Sequence, residues 1–129
     1  MIQKILKIAN YQATKLYFYN AKMILLGETC YSFNNKTVIL NNLFVNESYR
    51  NQYIGSSILK RTEQDIISKN NHVNQINLVA YDNHYGGVAH FFQKNGYVVN
   101  YSNNTFDNGL DIYNLVNMSK KISSQKFAQ

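Results

Sequence analysis

The chain has one cysteine, no proline and only six glycines in 129 residues. A single thiol excludes an internal disulfide and a cysteine-rich zinc site. The scarcity of proline and glycine excludes collagen-like and linker-rich chains. Long apolar runs are also missing. Stretches such as Met23–Leu26 fall far short of the ~20 residues that a membrane-spanning helix requires. Met1-Ile2-Gln3-Lys4 leads into short alternation rather than the apolar block of a signal peptide. Together these absences predict a cytoplasmic protein with no membrane partner. Charge is sparse as well: 16% of the residues are charged against 45% hydrophobic, the balance of a folded domain rather than a disordered chain. The length suits one domain over residues 1–129, with a basic tail from 119 to 129.

Acidic residues are outnumbered, 7 against 13 lysines and arginines, for a net charge of +6. That excess suits an anionic partner such as nucleic acid, a phosphorylated cofactor or an acidic protein, and equally serves general solubility. The lysines are scattered, and only Lys120-Lys121 are adjacent. No arginine-rich stripe is present, which argues against dedicated nucleic-acid binding. Asparagine, isoleucine, lysine and tyrosine are abundant, the mark of an AT-rich coding sequence. His84 and His90 are six residues apart and share no helix face, so no metal site is implied.

What is present is a strand-rich pattern. Ile2, Ile5, Leu6 and Ile8 fit a strand or one short helix. Lys15–Tyr19 reads as a strand from its aromatic content. Met23–Phe33, with a break at Gly27, and Thr37–Val45 continue an antiparallel meander through turns at Asn20–Lys22 and Asn34–Lys36. The period then changes. Ile54, Ile58, Leu59, Ile66 and Ile67 recur at helical spacing and predict a helix over 55–69. A strand at Gln75–Tyr81 follows, with Ile76, Leu78 and Ala80 on one face. A second helix over 85–95 turns Val88, Phe91 and Phe92 inward and ends at Asn95-Gly96, where a left-handed glycine is favoured. Tyr97–Tyr101 and Leu110–Met118 close the chain as strands. The order predicts an α/β (α+β) fold. Its mixed, mostly antiparallel sheet of six to seven strands carries a central strand–helix–strand crossover, with helices packed on the sheet.

The chemically informative stretch is Leu40–Leu59. A strand enters a polar loop that opens directly into a helix, and the free amides of such a turn form a site for phosphate or pyrophosphate. Gly55 allows close approach of a ligand, Ser56 and Ser57 offer hydroxyls, and Arg50 and Gln52 add donors. An ordinary strand-to-helix turn would show the same features.

The loop reads Arg50-Asn51-Gln52-Tyr53-Ile54-Gly55 and is similar to the Arg/Gln-x-x-Gly-x-Gly/Ala pyrophosphate motif of the GNAT family of N-acetyltransferases. Tyr53 replaces the first motif glycine. A second stretch, Val88-Ala89-His90-Phe91-Phe92-Gln93-Lys94-Asn95-Gly96-Tyr97, resembles the family's Ala-x-x-Phe-Tyr-x-Lys-x-Gly-Phe. The resemblance covers about residues 15 to 118. It implies an acetyl-CoA-dependent enzyme that transfers an acetyl group to a primary amine by direct attack. It places cofactor contacts at Phe44, Val45, Arg50, Asn51, Gln52, Tyr53, Ile54, Gly55, Ser56, Ser57, Asn83, Phe92 and Lys94. The two helices that usually follow the first strand have no room here. The acceptor-side wall is then either reduced or supplied by a second subunit, as in a homodimer.

In the family a strand amide stabilises the oxyanion, which maps to Phe44 or Val45. The leaving thiolate is usually protonated by the tyrosine that is Phe92 here, so Tyr85 becomes the candidate acid, with His84 and Tyr81 nearby. The acidic pair of polyamine-acetylating relatives is Asn41 and Asn42, which leaves Glu47 and Glu28 as candidate bases. Cys30 reads as a buried strand residue. A CoA-binding module without catalysis, or a basic interaction protein on the same fold, is the alternative.

Overall fold

The structure, a computed structural model, describes residues 1–50, 53–69, 72–82, 87–107 and 112–122. Among the described residues, seven strands form one sheet: β1 (Lys4–Ala9), β2 (Thr14–Tyr19), β3 (Leu25–Asn34), β4 (Thr37–Val45), β5 (Gln75–Asp82), β6 (Val98–Asp107) and β7 (Ile112–Lys121). Two helices, α1 (Ile54–Lys69) and α2 (Gly87–Lys94), follow β4 and β5. Neither is long and apolar enough to cross a membrane. The sheet order is β1-β2-β3-β4-β5-β7-β6, and β4 with β5 is its one parallel pair. This is the expected mixed, mostly antiparallel architecture.

Local chemistry sets the strand ends. The Asn20 side chain accepts from the amides of Lys22 (2.9 Å) and Ile24 (3.0 Å), so Met23 and Ile24 belong to the turn and β3 starts at Leu25. β3 is not broken at Gly27. A Cβ there would stand 2.2 Å from the Phe44 carbonyl oxygen, so the glycine lets β3 and β4 approach closely. β1 and β2 are joined by a turn over 10–13, where the Asn10 carboxamide accepts from Gln12 and Ala13, and no helix intervenes. The C-terminal expectation needs correction. Ser119–Lys121 are part of β7, laddered to Gln75–Asn77 of β5, and Lys120 ion-pairs with Glu63 at 3.0 Å. Residues 123–129 lie outside the described set.

Both helices cover the same sheet face. Thr29 of β3 bonds Thr62 of α1, and Asp82 of β5 accepts from the first amides of α2. Between them lies one core, with Phe18, Leu26, Val38, Leu40, Ile76, Leu78 and Met118 of the sheet against Ile54, Ile58, Leu59, Ile66 and Phe92 of the helices. Ile76, Leu78 and Ala80 share the buried face as expected. The opposite face presents Ile39, Val79 and Tyr81 to solvent.

Candidate active site

The site begins with a defect in pairing. Cys30 pairs with Asn42 but Tyr31 pairs with Leu40, so Asn41 is an extra residue bulged out of β4. A bulge bends its strand and ends regular pairing. Accordingly β4 pairs with β5 only over Thr37–Ile39, opposite Gln75–Asn77. Beyond Ile39 the two strands diverge. A cleft of about 590 Å³ opens between the end of β4 and the starts of α1 and α2. It continues as a slot of about 270 Å³ between β4 and β5, and Leu43, Val88 and Phe92 line both spaces.

Asn46 fixes the strand end. Its amide donates to the Leu26 carbonyl (2.7 Å), its carboxamide donates to the Leu25 carbonyl (2.8 Å), and its side-chain oxygen accepts from Ser48 (3.1 Å) to start a 3₁₀ turn over Glu47–Tyr49. The first of these bonds also sets the ladder. Antiparallel pairs alternate between bonded and non-bonded, so Glu28/Phe44 exchanges bonds while the amides of Leu43 and Val45 turn away from β3, towards the cleft. The Val45 carbonyl agrees, since it accepts from Arg50 Nε at 3.1 Å. Of the two residues expected to offer an oxyanion donor, Val45 therefore has its amide turned to the cleft and Phe44 has its amide in the β3–β4 ladder.

The helix wall is equally specific. Tyr53 holds the left-handed backbone (φ 61) at the position of the motif glycine, and its carbonyl accepts from Ser57 at 3.1 Å to close the first turn of α1. The amides of Ile54, Gly55 and Ser56 precede that turn and lack intrahelical acceptors. The Ser57 amide is thus taken up inside the helix, and its exposed side chain is not among the residues that line the cleft. The Ile54 side chain is buried in the core, so only its backbone can serve. The Ser56 hydroxyl accepts from Asn95 Nδ2 (3.2 Å), which also donates to the Phe91 carbonyl (2.9 Å) and ties the end of α2 to the start of α1.

Phe44, Val45, Arg50, Tyr53, Gly55, Ser56, Phe92 and Lys94 line the cleft. Among the described residues, two that line the cleft are cationic and none is acidic. Phe92 is almost fully buried, edge-on to Phe91 (5.1 Å) and Tyr97 (5.5 Å). Val88 was expected inward with it but is 40% exposed, because it occupies the first turn of α2 beside the cleft. Glu28 is half-buried on the open sheet face, cross-strand from Phe44, whereas Glu47 is exposed on the 3₁₀ turn and does not line the cleft. Asn51, Gln52, Asn83, His84 and Tyr85 lie outside the described residues. Sequence reasoning missed Asp82, a buried carboxylate accepting from Val88 (3.4 Å) and Ala89 (3.2 Å). An aspartate ending a strand before a helix was the available signal.

A slot between splayed parallel strands, with outward strand amides on one wall and a helix N-terminus on another, accommodates an elongated anionic ligand. Comparison with known proteins identifies the class. The family model described as "Acetyltransferase (GNAT) domain" matches residues 11–99, and the chain belongs to that family. No curated protein matches it by sequence. Solved structures share the fold. A spermidine/spermine N-acetyltransferase from Vibrio cholerae superposes with a TM-score of 0.75 at 12% identity over 92% of this chain and 69% of its own. The ribosomal-protein-S18-alanine N-acetyltransferase from Escherichia coli gives 0.74 at 13%, over 89% and 72%. The PaiA N-acetyltransferase from Thermoplasma acidophilum, in complex with coenzyme A, gives 0.64 at 21%. Coverage there is 86% of this chain, which spans 62% of that protein's length.

Proposed function

We propose that this chain is an acetyl-CoA-dependent N-acetyltransferase that moves the acetyl group to a primary amine by direct attack on the thioester. The observation that carries this reading is the splay of β4 from β5 beyond Ile39, with the Val45 amide turned into the gap and the start of α1 at its mouth. The lining fits the coenzyme. Arg50 and Lys94 match its phosphates, the leading amides of α1 suit the pyrophosphate, and no carboxylate opposes either.

In this reading the Val45 amide stabilises negative charge as it develops on the thioester oxygen. An alkyl amine with a pKa near ~10.4 is about one part in a thousand neutral at pH 7.4, so a base must help. Glu28 is favoured over Glu47, since it stands cross-strand from Phe44, a residue of the cleft wall. Phe92 has no proton to give, which leaves Tyr85 as the candidate acid for the departing thiolate. The same Phe92, with Asn41 and Asn42 at the slot, supports the second reading of a CoA-binding module without catalysis.

The test is thiol release from acetyl-CoA with a panel of polyamines, amino acids and lysine-containing peptides. Amine-dependent release is expected, and Glu28→Gln and Tyr85→Phe should each lower kcat by about 10²-fold or more without a matching loss of acetyl-CoA affinity. Binding without release for any amine would favour the non-catalytic module.

A further inference from the structure

We propose that the ring of Tyr53 is a stacking platform for the adenine base of the coenzyme at the mouth of the cleft. This inference rests on the acetyl-CoA reading above and adds a contact to it.

The backbone supplies the first argument. Tyr53 has φ 61, in the left-handed region where an L side chain crowds the following carbonyl. Glycine occupies the same conformation without that crowding, and the family motif carries glycine at this position. Burial supplies the second. The ring is 81% exposed and contributes nothing to the core, so packing does not account for it. A strained residue with an exposed aromatic side chain, on the wall of a ligand cleft, is a feature to explain by function.

The location decides which part of the coenzyme it meets. Tyr53 immediately precedes α1, whose leading amides suit the pyrophosphate, and lines the same cleft as Arg50 and Lys94. Those cations answer the phosphates and do not grip a neutral base. Phe91 and Phe92 are packed edge to face within the cleft wall and present no comparable exposed ring. The base lies beyond the pyrophosphate from the thioester, and an aromatic ring at the mouth meets its π face. Such stacking is worth about 1–3 kcal/mol per base.

The test measures dissociation constants by calorimetry for acetyl-CoA and for S-acetyl-phosphopantetheine, which keeps the thioester arm and lacks the nucleotide. Tyr53→Gly and Tyr53→Asn, both at ease in this backbone, are expected to weaken acetyl-CoA by about 5- to 100-fold. They should leave S-acetyl-phosphopantetheine within about twofold, the change expected when no base contact is present. Tyr53→Phe should bind acetyl-CoA as the unaltered chain does. The melting temperature of Tyr53→Gly should be no lower than that of the unaltered chain, which separates lost contact from lost fold. Unchanged acetyl-CoA affinity in both variants, equal weakening of both ligands, or a Tyr53→Phe loss matching Tyr53→Gly would overturn the stacking role. If the unaltered chain binds neither ligand, the coenzyme reading itself fails.

Discussion

Gly55 shows how one position serves packing and binding together. A Cβ there would stand 3.2 Å from the Phe91 ring and 3.5 Å from Val45 Cγ2, so its lack of a side chain lets the start of α1 close on α2 and β4. The residue was singled out in the sequence for ligand approach, and the structure adds this helix contact. Phe91 is half-buried and lines the cleft, so the open side on which its ring can give way is the cleft. Gly55→Ala should therefore weaken acetyl-CoA binding several-fold. Its stability should stay within about 1 kcal/mol of the unaltered chain, because alanine's helix propensity offsets the shift of the ring. Paired titrations with acetyl-CoA and denaturant check both halves. A large stability loss with unchanged affinity would assign Gly55 to packing alone.

At the scale of elements, α1 is fastened to the sheet through two buried phenols. Tyr31 of β3 donates to Asp65, and Tyr97, just before β6, donates to Glu63 at 2.9 Å. Lys120 of β7 completes the second cluster on Glu63 and the Asn95 carbonyl. Burial first, and then the adjoining carboxylate, pushes both phenol pKa values well above the ordinary 10. The folded chain then keeps these protons where the unfolded chain releases them. Their contribution is complete below pH 10 and declines as pH rises further, by up to about 1.4 kcal/mol per unit for a group such as Tyr97. Denaturant midpoints should fall above pH 10, and Tyr97→Phe should flatten that fall. A slope unchanged in the variant would exclude Tyr97 as its source.

The extent of α1 was legible because its apolar residues recur at helical spacing, and that of β4 because the apolar Val38–Leu40 and Leu43–Val45 lie between the Asn34–Lys36 turn and the polar loop after Val45. The start of β3 was not, because Met23-Ile24-Leu25-Leu26 is uniformly apolar and only the Asn20 side-chain bonds reveal that the first two belong to a turn. The end of β7 was misread for a similar reason. Ser-Lys-Lys is polar in sequence, while its ladder to β5 and the Glu63 partner of Lys120 are contacts between residues far apart in the chain.

For the whole molecule, the cleft depends on how the sheet is divided. Three residues of parallel pairing hold β4 to β5, a bulge at Asn41 turns β4 aside, and the gap becomes the cleft. The cleft-lining loop was readable from Arg50, Gly55 and Ser56 because strand, polar loop and helix are contiguous there. The bulge was not readable, since an inserted residue shows only against its partner strand. Nor was it readable that the amide of Val45, and not that of Phe44, faces the cleft, which depends on the phase of the β3–β4 ladder. Binding of acetyl-CoA by this divided sheet is read out in the unfolding free energy measured with and without the coenzyme. At about 100 times its Kd the coenzyme should raise that free energy by about 2.7 kcal/mol. No stabilisation at millimolar acetyl-CoA would contradict the account.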